Sequence, residues 1–469
     1  MKITSTQIEY EKDLLEVARL FYPKYSLQEE EVTIIHSHEQ KDENNFLHTF
    51  TICDSNGTYT HNKQENKQQN PPLTTRKLLQ TGLYEALTKH TKQTMPWGCL
   101  VGIRPVKAML DLKNLELSSL GAINYFKNVY YVSEQKCNLV QQVIEMQGHQ
   151  TKNEKLINLY IHIPFCVSRC SYCSFMSSQI GTNRQLIASY VNALVDEIKH
   201  TKQFLQKNSY IVKNIYVGGG TPTAFEVSEL EPVLQELAPY NVKEFTVEAG
   251  RVDTITKEKL DLFKKYNVTR ISINPQSFNE SVLKKANRNH TVKQFLEVYK
   301  MALPYNFTVN MDLIVGLEGE TQKSFEMGLN TLLELAPDNI TIHTLSLKRA
   351  SVINQTKTNI AKLSVAQKML DYACKKLNEA GYVPYYMYRQ KNMLENLENI
   401  GFCKDKKVCQ FNVDSIDEYA SILACGAGGA SKRIYFTNNK KEQVFNVKGV
   451  EEYISRIEEM KKRKDELFS

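Results

Sequence analysis

Three of the chain's ten cysteines, Cys166, Cys170 and Cys173, fall within eight residues of HIPFCVSRCSYCSF, as Cys-x3-Cys-x2-Cys. Thiolates are soft ligands for iron and zinc, and three on one short loop can hold three irons of a 4Fe-4S cluster and leave the fourth open. A structural zinc site needs a fourth ligand at suitable spacing, and neither a second Cys-x2-Cys nor a His-x3-His follows. Further along lies Gly218-Gly219-Gly220-Thr221-Pro222-Thr223. Glycines there let the backbone approach a ligand and offer N–H groups to a carboxylate or phosphate, although the same run alone is equally a tight turn. Glu248, Gln276, Arg288 and Asp312 add polar groups downstream; singly, each reads as a helix-surface charge or a strand-end cap.

The elements around these residues give them a common direction. From Leu159 onward, LYIHIPF, NIYVGGG, EFTVEAG, RISINPQ, VNMDLIVG and NITIHTLSL alternate with amphipathic stretches such as RQLIASYVNALVDEIKHTKQFL. Six short β-rich runs separated by helical segments predict parallel βα units, in a barrel or a doubly wound sheet. Such folds gather active-site residues at the C-terminal ends of successive strands, where the cysteine loop, the glycines, Glu248 and Gln276 all fall. Residues 1–150 read as a separate α+β domain, 151–350 as the core and 351–469 as a C-terminal cap. In the first part EYEKDLLEVARLFYP is spaced as a helix, EVTIIHSH and NNFLHTFTICD as strands, and LTTRKLLQTGLYEALTKH as a helix; the polar run 60–74 predicts a loop or the frayed end of a hairpin. WGCLVGIRPVK, with the only tryptophan, has no periodicity that classifies it.

Composition sets the background. The 469 residues are 42% hydrophobic and 24% charged, the profile of a globular protein of two or three domains. Fifty-nine Lys and Arg against 52 Asp and Glu give +7, too dilute over this length to argue for nucleic acid and compatible with an anionic substrate. No run approaches the ~18 apolar residues of a membrane span, the N-terminus lacks the apolar core of a signal peptide, and the sparse cysteines fit the reducing cytoplasm.

YIHIPFCVSRCSYC, GGGTPT, the strand-end Glu248, QSFN, the Asn-Arg of KKANRNH and DLIVGL resemble, in that order, the radical S-adenosylmethionine (SAM) superfamily. Within it they are most similar to the oxygen-independent coproporphyrinogen III oxidases and relatives. The resemblance is close over residues 159–350. It implies a partial (β/α)6 barrel, a 4Fe-4S cluster on Cys166, Cys170 and Cys173, and SAM chelated to the open iron. It also implies SAM contacts from Tyr160, Gly219, Gly220, Thr221, Glu248, Gln276, Arg288 and Asp312, with Tyr172 packing beside SAM and Tyr160 and His162 as catalytic-site residues. An external one-electron donor such as flavodoxin or ferredoxin reduces the cluster, SAM is cleaved to methionine and a 5'-deoxyadenosyl radical, and in the oxidases that radical initiates conversion of two propionates of coproporphyrinogen III to vinyl groups. Two departures matter. The decarboxylating oxidases follow the third cysteine with Gly-Cys, whereas here Ser174 and Phe175 follow Cys173; the haem-chaperone relatives carry a late His-Asn-x-x-Tyr-Trp motif, and no histidine follows His343 here. The long N-terminal part and the late CGAGGASK resemble the branch called coproporphyrinogen dehydrogenase HemZ.

Other residues invite a function and have a plainer reading. Cys403, Cys409 and Cys425 resemble a second cluster site only loosely and are expected as buried thiols, like Cys53, Cys99, Cys137 and Cys374. Tyr385, Tyr386 and Tyr388 could line a tetrapyrrole pocket but fit core packing better. KKRK at 461–464 is expected as a solvated helix end. Arg184, Lys348 and Arg349 are candidate anchors for substrate carboxylates.

Overall fold

A computed structural model describes residues 1–22, 31–68, 74–114, 118–173, 178–346, 363–391, 393–438 and 440–469. They form two compact units: Met1–Gln142 with Tyr388–Glu398, and Val143–Met387 with Asn399–Ser469.

In the first unit β1 (Lys2–Ser5), β2 (Thr33–Gln40), β3 (Asn45–Asp54) and β4 (Gly57–Asn66) form one sheet in that order, β1 parallel to β2 and the rest antiparallel. Helices Glu11–Phe21 and Thr75–Thr91 pack together, the second against β3 and β4, burying Leu14, Val17, Leu79 and Leu83 with Phe50 and Ile52. Of the polar run 60–74, residues 60–66 are not a loop but complete the strand Gly57–Asn66, paired with β3 along its length, and residues 69–73 lie outside the described residues. Its inward side chains find charged partners: His61 and Lys63 meet Glu85, and Glu65 accepts from His48 Nε2 at 2.9 Å. WGCLVGIRPVK forms a turn leading into the helix Pro105–Asn114. Trp97 is fully buried; its Nε1–H donates to Glu398 Oε2 at 2.6 Å, and the Arg389 guanidinium lies 4.8 Å from its ring while donating to the Leu100 carbonyl. The motif thus seats the segment 388–398, which returns to this unit from far along the chain.

The second unit is built on an 11-stranded sheet. Its centre is six parallel strands in sequential order: β5 (Leu156–Ile163), β8 (Ile211–Gly219), β9 (Glu244–Val247), β10 (Arg270–Ser272), β11 (Thr308–Val315) and β12 (Asn339–Thr344). Each matches one predicted run, and helices such as Ile187–Lys207, Val227–Leu237 and Gln322–Leu335 make the crossovers. Between β5 and β8, β6 (Phe165–Cys166) and β7 (Ser178–Gln179) form a minimal parallel pair that frames the cysteine loop. The C-terminal stretch contributes to both edges of the sheet: β13 (Val383–Tyr388) and β14 (Asn399–Cys403) extend it beyond β12, and β15 (Ser421–Cys425), β16 (Ala430–Tyr435) and β17 (Lys440–Phe445) extend it beyond β5.

The short helix Gln410–Asp417 seals the N-terminal ends of the parallel strands. Glu244 accepts from the Gln410 and Phe411 amides, both at 2.8 Å. The fully buried Asp414 accepts from Asn158, Asn214 and Lys213, and Phe411 stacks on Tyr216 and Tyr160. The opposite, C-terminal end of the strands is left to the functional residues. The KKRK helix end is only half solvated. Residues 461 and 464 lie one helical turn apart on the face packed against Ile187–Lys207, so Lys461 and Lys464 are buried and pair with Asp196 and Glu197, while Lys462 faces outward.

Candidate active site

The cysteine loop leaves β5 through Pro164 and is pinned at several backbone points. Thr221 N donates to the Phe165 carbonyl at 2.7 Å, Ser171 N to Ala286 O at 3.2 Å, and Asn287 Nδ2 to Arg169 O at 2.7 Å. Thr221 Oγ1 donates to Cys166 Sγ at 3.4 Å, and Arg251 Nη1 donates to the Ser168 carbonyl and to Cys170 Sγ. The loop forms one wall of a cavity of about 170 Å³, with the three cysteines and Tyr172 exposed to it. Gly219, Gly220 and Thr221 form a second wall, and Glu248, Gln276 and Arg288 a third. Residues from four strand ends, up to 110 positions apart in sequence, thus meet at one point, joined by Arg288 from beyond the helix Glu280–Lys285.

The glycines are sterically required. Gly219 has φ +113°, and a Cβ there would meet the His162 ring at 2.6 Å; a Cβ on Gly220 would lie 2.5 Å from the Phe165 carbonyl oxygen. Glu248 accepts from Tyr216 O–H at 2.5 Å and from Gly219 N at 3.2 Å. Burial raises its carboxyl to about 7; Tyr216 and the Gly219 amide pull it back, and the nearby Asp312 carboxylate pushes it up. Gln276 sits at φ +65°, with its amide and carbonyl bonded to β11. Its Oε1, Asn274 Oδ1 and Arg288 Nε are buried without a hydrogen-bond partner. Unmet polar atoms of this kind are rare in a finished core and fit a cavity shaped for a polar ligand.

Three expected residues stand outside this cavity's walls. Asp312 lies behind it, accepting from Asn274 Nδ2 and Asn310 Nδ2, both at 2.7 Å, with His343 Nε2 at 3.5 Å. Tyr160 lies one layer deeper, between Phe411 and Tyr216. His162 backs Gly219: its Nδ1–H donates to the Ala427 carbonyl at 2.5 Å, and burial lowers its pKa against the opposing pull of that hydrogen bond. Gly426 of the CGAGG turn packs on the His162 carbonyl, where a Cβ would come within 2.0 Å. Arg184 is paired with Glu229 at the start of the helix Val227–Leu237, and Lys348 and Arg349 lie outside the described residues. Cys403, Cys409 and Cys425 are buried on separate elements, Cys403 and Cys425 with thiols raised by burial to about 11. Tyr385 and Tyr386 are core residues.

Arg251, Asn274 and Tyr216 were not singled out from the sequence. Two of them had a signal: Asn274 precedes Gln276, and Tyr216 precedes Gly218, by the two-residue step that puts side chains on one face of an extended segment. Arg251 lies past the end of its strand, where periodicity gives no direction.

The radical SAM superfamily matches residues 160–332. The oxygen-independent coproporphyrinogen-III oxidase-like protein HemZ of Bacillus subtilis (strain 168) is 38% identical over 362 residues, 74% of this chain and 72% of that protein. The chain belongs to the HemZ-like family of radical SAM proteins. Other relatives of this radical SAM protein include the heme chaperone HemW of the same organism, 33% identical over 199 residues (41% of this chain, 51% of that protein). The oxygen-independent coproporphyrinogen III oxidase of Salmonella typhimurium is 31% identical over 238 residues (49% and 51%). Coproporphyrinogen III oxidase HemN from Escherichia coli shares the fold, with TM-score 0.53 over 71% of this chain and 74% of that one at 20% identity. The family's cofactors are a 4Fe-4S cluster and SAM, and the cavity suits both: three thiols on one loop beside a glycine backbone, and unmet polar atoms opposite. Among the described residues no helix is long and apolar enough to cross a membrane.

Proposed function

We propose that this radical SAM protein is an oxidoreductase that converts propionate side chains of coproporphyrinogen III to the vinyl groups of protoporphyrinogen IX without oxygen, each losing a hydrogen atom to the 5'-deoxyadenosyl radical, carbon dioxide, and one electron to an external one-electron acceptor. The observation that carries the reading is the meeting of the cysteine loop, the glycine wall and Glu248 in one cavity, in a chain related to an oxidase-like protein over three quarters of its length. When bound, the cluster and SAM supply one-electron cleavage of a carbon-sulfur bond and a radical able to abstract hydrogen. Cys166, Cys170 and Cys173 hold the irons. Gly219 and Gly220 offer backbone close to the cluster loop because no Cβ intervenes. Glu248, fixed by Tyr216 and the Gly219 amide, takes the ribose hydroxyls, while Gln276 and Arg288 meet the remaining polar groups. Asp312 acts at one remove by orienting Asn274, and His162 by supporting the Gly219 peptide. A one-electron donor such as flavodoxin or ferredoxin is the partner, and the oxygen sensitivity of such a cluster supports a reducing, cytoplasmic location.

The reading is tested by anaerobic incubation of the reconstituted protein with coproporphyrinogen III, SAM and a reductant. Protoporphyrinogen IX and 5'-deoxyadenosine are expected together; SAM cleavage without decarboxylation refutes the oxidase assignment. A second reading, a haem- or porphyrin-carrying protein, draws on the Ser-Phe that follows Cys173 and on the HemW relatives. Haem titration and transfer to an apo-acceptor would support it, and absence of haem binding at micromolar protein would remove it.

A further inference from the structure

Arg251 is a charged side chain only 3% exposed beside the cysteine loop. Its guanidinium is fixed on one edge by Asp253, with Nε to Oδ1 at 3.0 Å and Nη2 to Oδ2 at 2.7 Å. Nη1 projects toward the loop, 3.3 Å from the Ser168 carbonyl and 3.6 Å from Cys170 Sγ. The bidentate carboxylate removes the freedom of a long side chain, so the remaining N–H is aimed at the sulfur at little further entropic cost. Arg251 also lines the cavity, so it faces the volume a cluster would fill.

We propose that Arg251, held by Asp253, sets the reduction potential of the cluster through its N–H donation to Cys170 Sγ. The inference rests on Cys170 being a cluster ligand and is independent of which tetrapyrrole is the substrate. Reduction makes a thiolate-bound cluster one charge more negative, and a buried cation donating to a ligand sulfur stabilises the reduced form over the oxidised one. The Asp253 carboxylate offsets part of that charge, so the pair is a dipole with its positive end at the sulfur. Removing the cation and removing the carboxylate must then move the potential in opposite directions. A residue that merely braced the loop would not behave so.

The test is a redox titration of the reconstituted full chain without SAM, followed by the electron paramagnetic resonance of the reduced cluster. Arg251→Met is expected to make reduction at least tenfold less favourable, a fall of about 59 mV for one electron. Arg251→Lys should recover part of the shift, and Asp253→Asn should raise the potential above wild type. Equal midpoints in loaded wild type and Asp253→Asn, or a shift of the same sign in Asp253→Asn and Arg251→Met, overturn the proposal. If Arg251→Met does not take up iron, the sign of the Asp253→Asn shift decides alone. Failure of the cluster assignment itself reads differently: wild type would then bind no cluster, or Cys170→Ala would keep its iron.

Discussion

Removing the Lys464 ammonium should destabilise the second unit although it lies at the far end of the chain. The Nζ stands 2.6 Å from Glu197 Oε1, and the two side chains are 3% and 0% exposed. Glu197 also accepts from Gly426 N at 2.6 Å, Asn446 Nδ2 at 2.8 Å and Tyr453 O–H at 2.5 Å. Lys464→Met keeps the length of the side chain and most of its packing but leaves a buried carboxylate with neutral donors only. Breaking a buried pair from one side costs about 3–5 kcal/mol, and the three surviving donors place this case near the lower figure, about 3 kcal/mol. Glu197→Gln in the same chain removes the stranded charge, so the double variant should recover about 2 kcal/mol relative to additivity. The single tryptophan belongs to the first unit, so unfolding is best followed by far-ultraviolet circular dichroism in urea, together with hydrogen exchange of the peptide carrying Gly426 and Ala427. Exchange there should accelerate in Lys464→Met, because Glu197 anchors the turn that packs on His162. A loss below about 1 kcal/mol, or strict additivity in the double variant, refutes the argument.

Gly220→Ala would place a Cβ 2.5 Å from the Phe165 carbonyl oxygen and 3.0 Å from Cys166 Sγ, so the loop must shift, at a cost of about 1–3 kcal/mol. Iron per chain after reconstitution should fall well below that of Gly181→Ala, whose Cβ meets nothing within 4 Å; equal loading would show that the loop gives way freely. In the first unit, burial followed by the charges of His48 and His38 lowers His36 to about 4, against 6.5 for the free side chain. A folded-state pKa below the unfolded one means that the unfolded chain protonates first. The stabilisation is complete above about pH 6.5 and is lost as the pH falls toward 4, by at most about 3 kcal/mol. The urea midpoint read by Trp97 fluorescence should therefore drop between pH 7 and 4.5, less so in His36→Gln, and equal slopes in the two proteins would remove His36 as the cause.

The six parallel strands, their crossovers and the cysteine and glycine motifs were legible in the sequence because each is written in local periodicity or in consecutive residues. The strand Gly57–Asn66 was less so: its inward side chains are polar and their partners, Glu85 and His48, lie elsewhere in the chain. The edge strands of the C-terminal stretch were obscured in the same way, since what makes them strands is the open edge of β5 or β12 beside them. Among the site residues, position at a strand end brought Glu248 and Gln276 to the cavity and the turn after the helix Glu280–Lys285 brought Arg288, whereas Tyr160 and Asp312, inside their strands, fell a layer deeper.

By itself, then, the sequence carried the family resemblance, the cysteine triplet and the direction in which the strand ends point. Only the tertiary structure decided which charges are buried and what they serve. Glu197 and Lys464 are 267 positions apart, and the Arg251 guanidinium reaches Cys170 across 81. No local pattern encodes such pairs, because the desolvation that makes a lysine, an arginine or a carboxylate matter exists only once distant elements have closed around it.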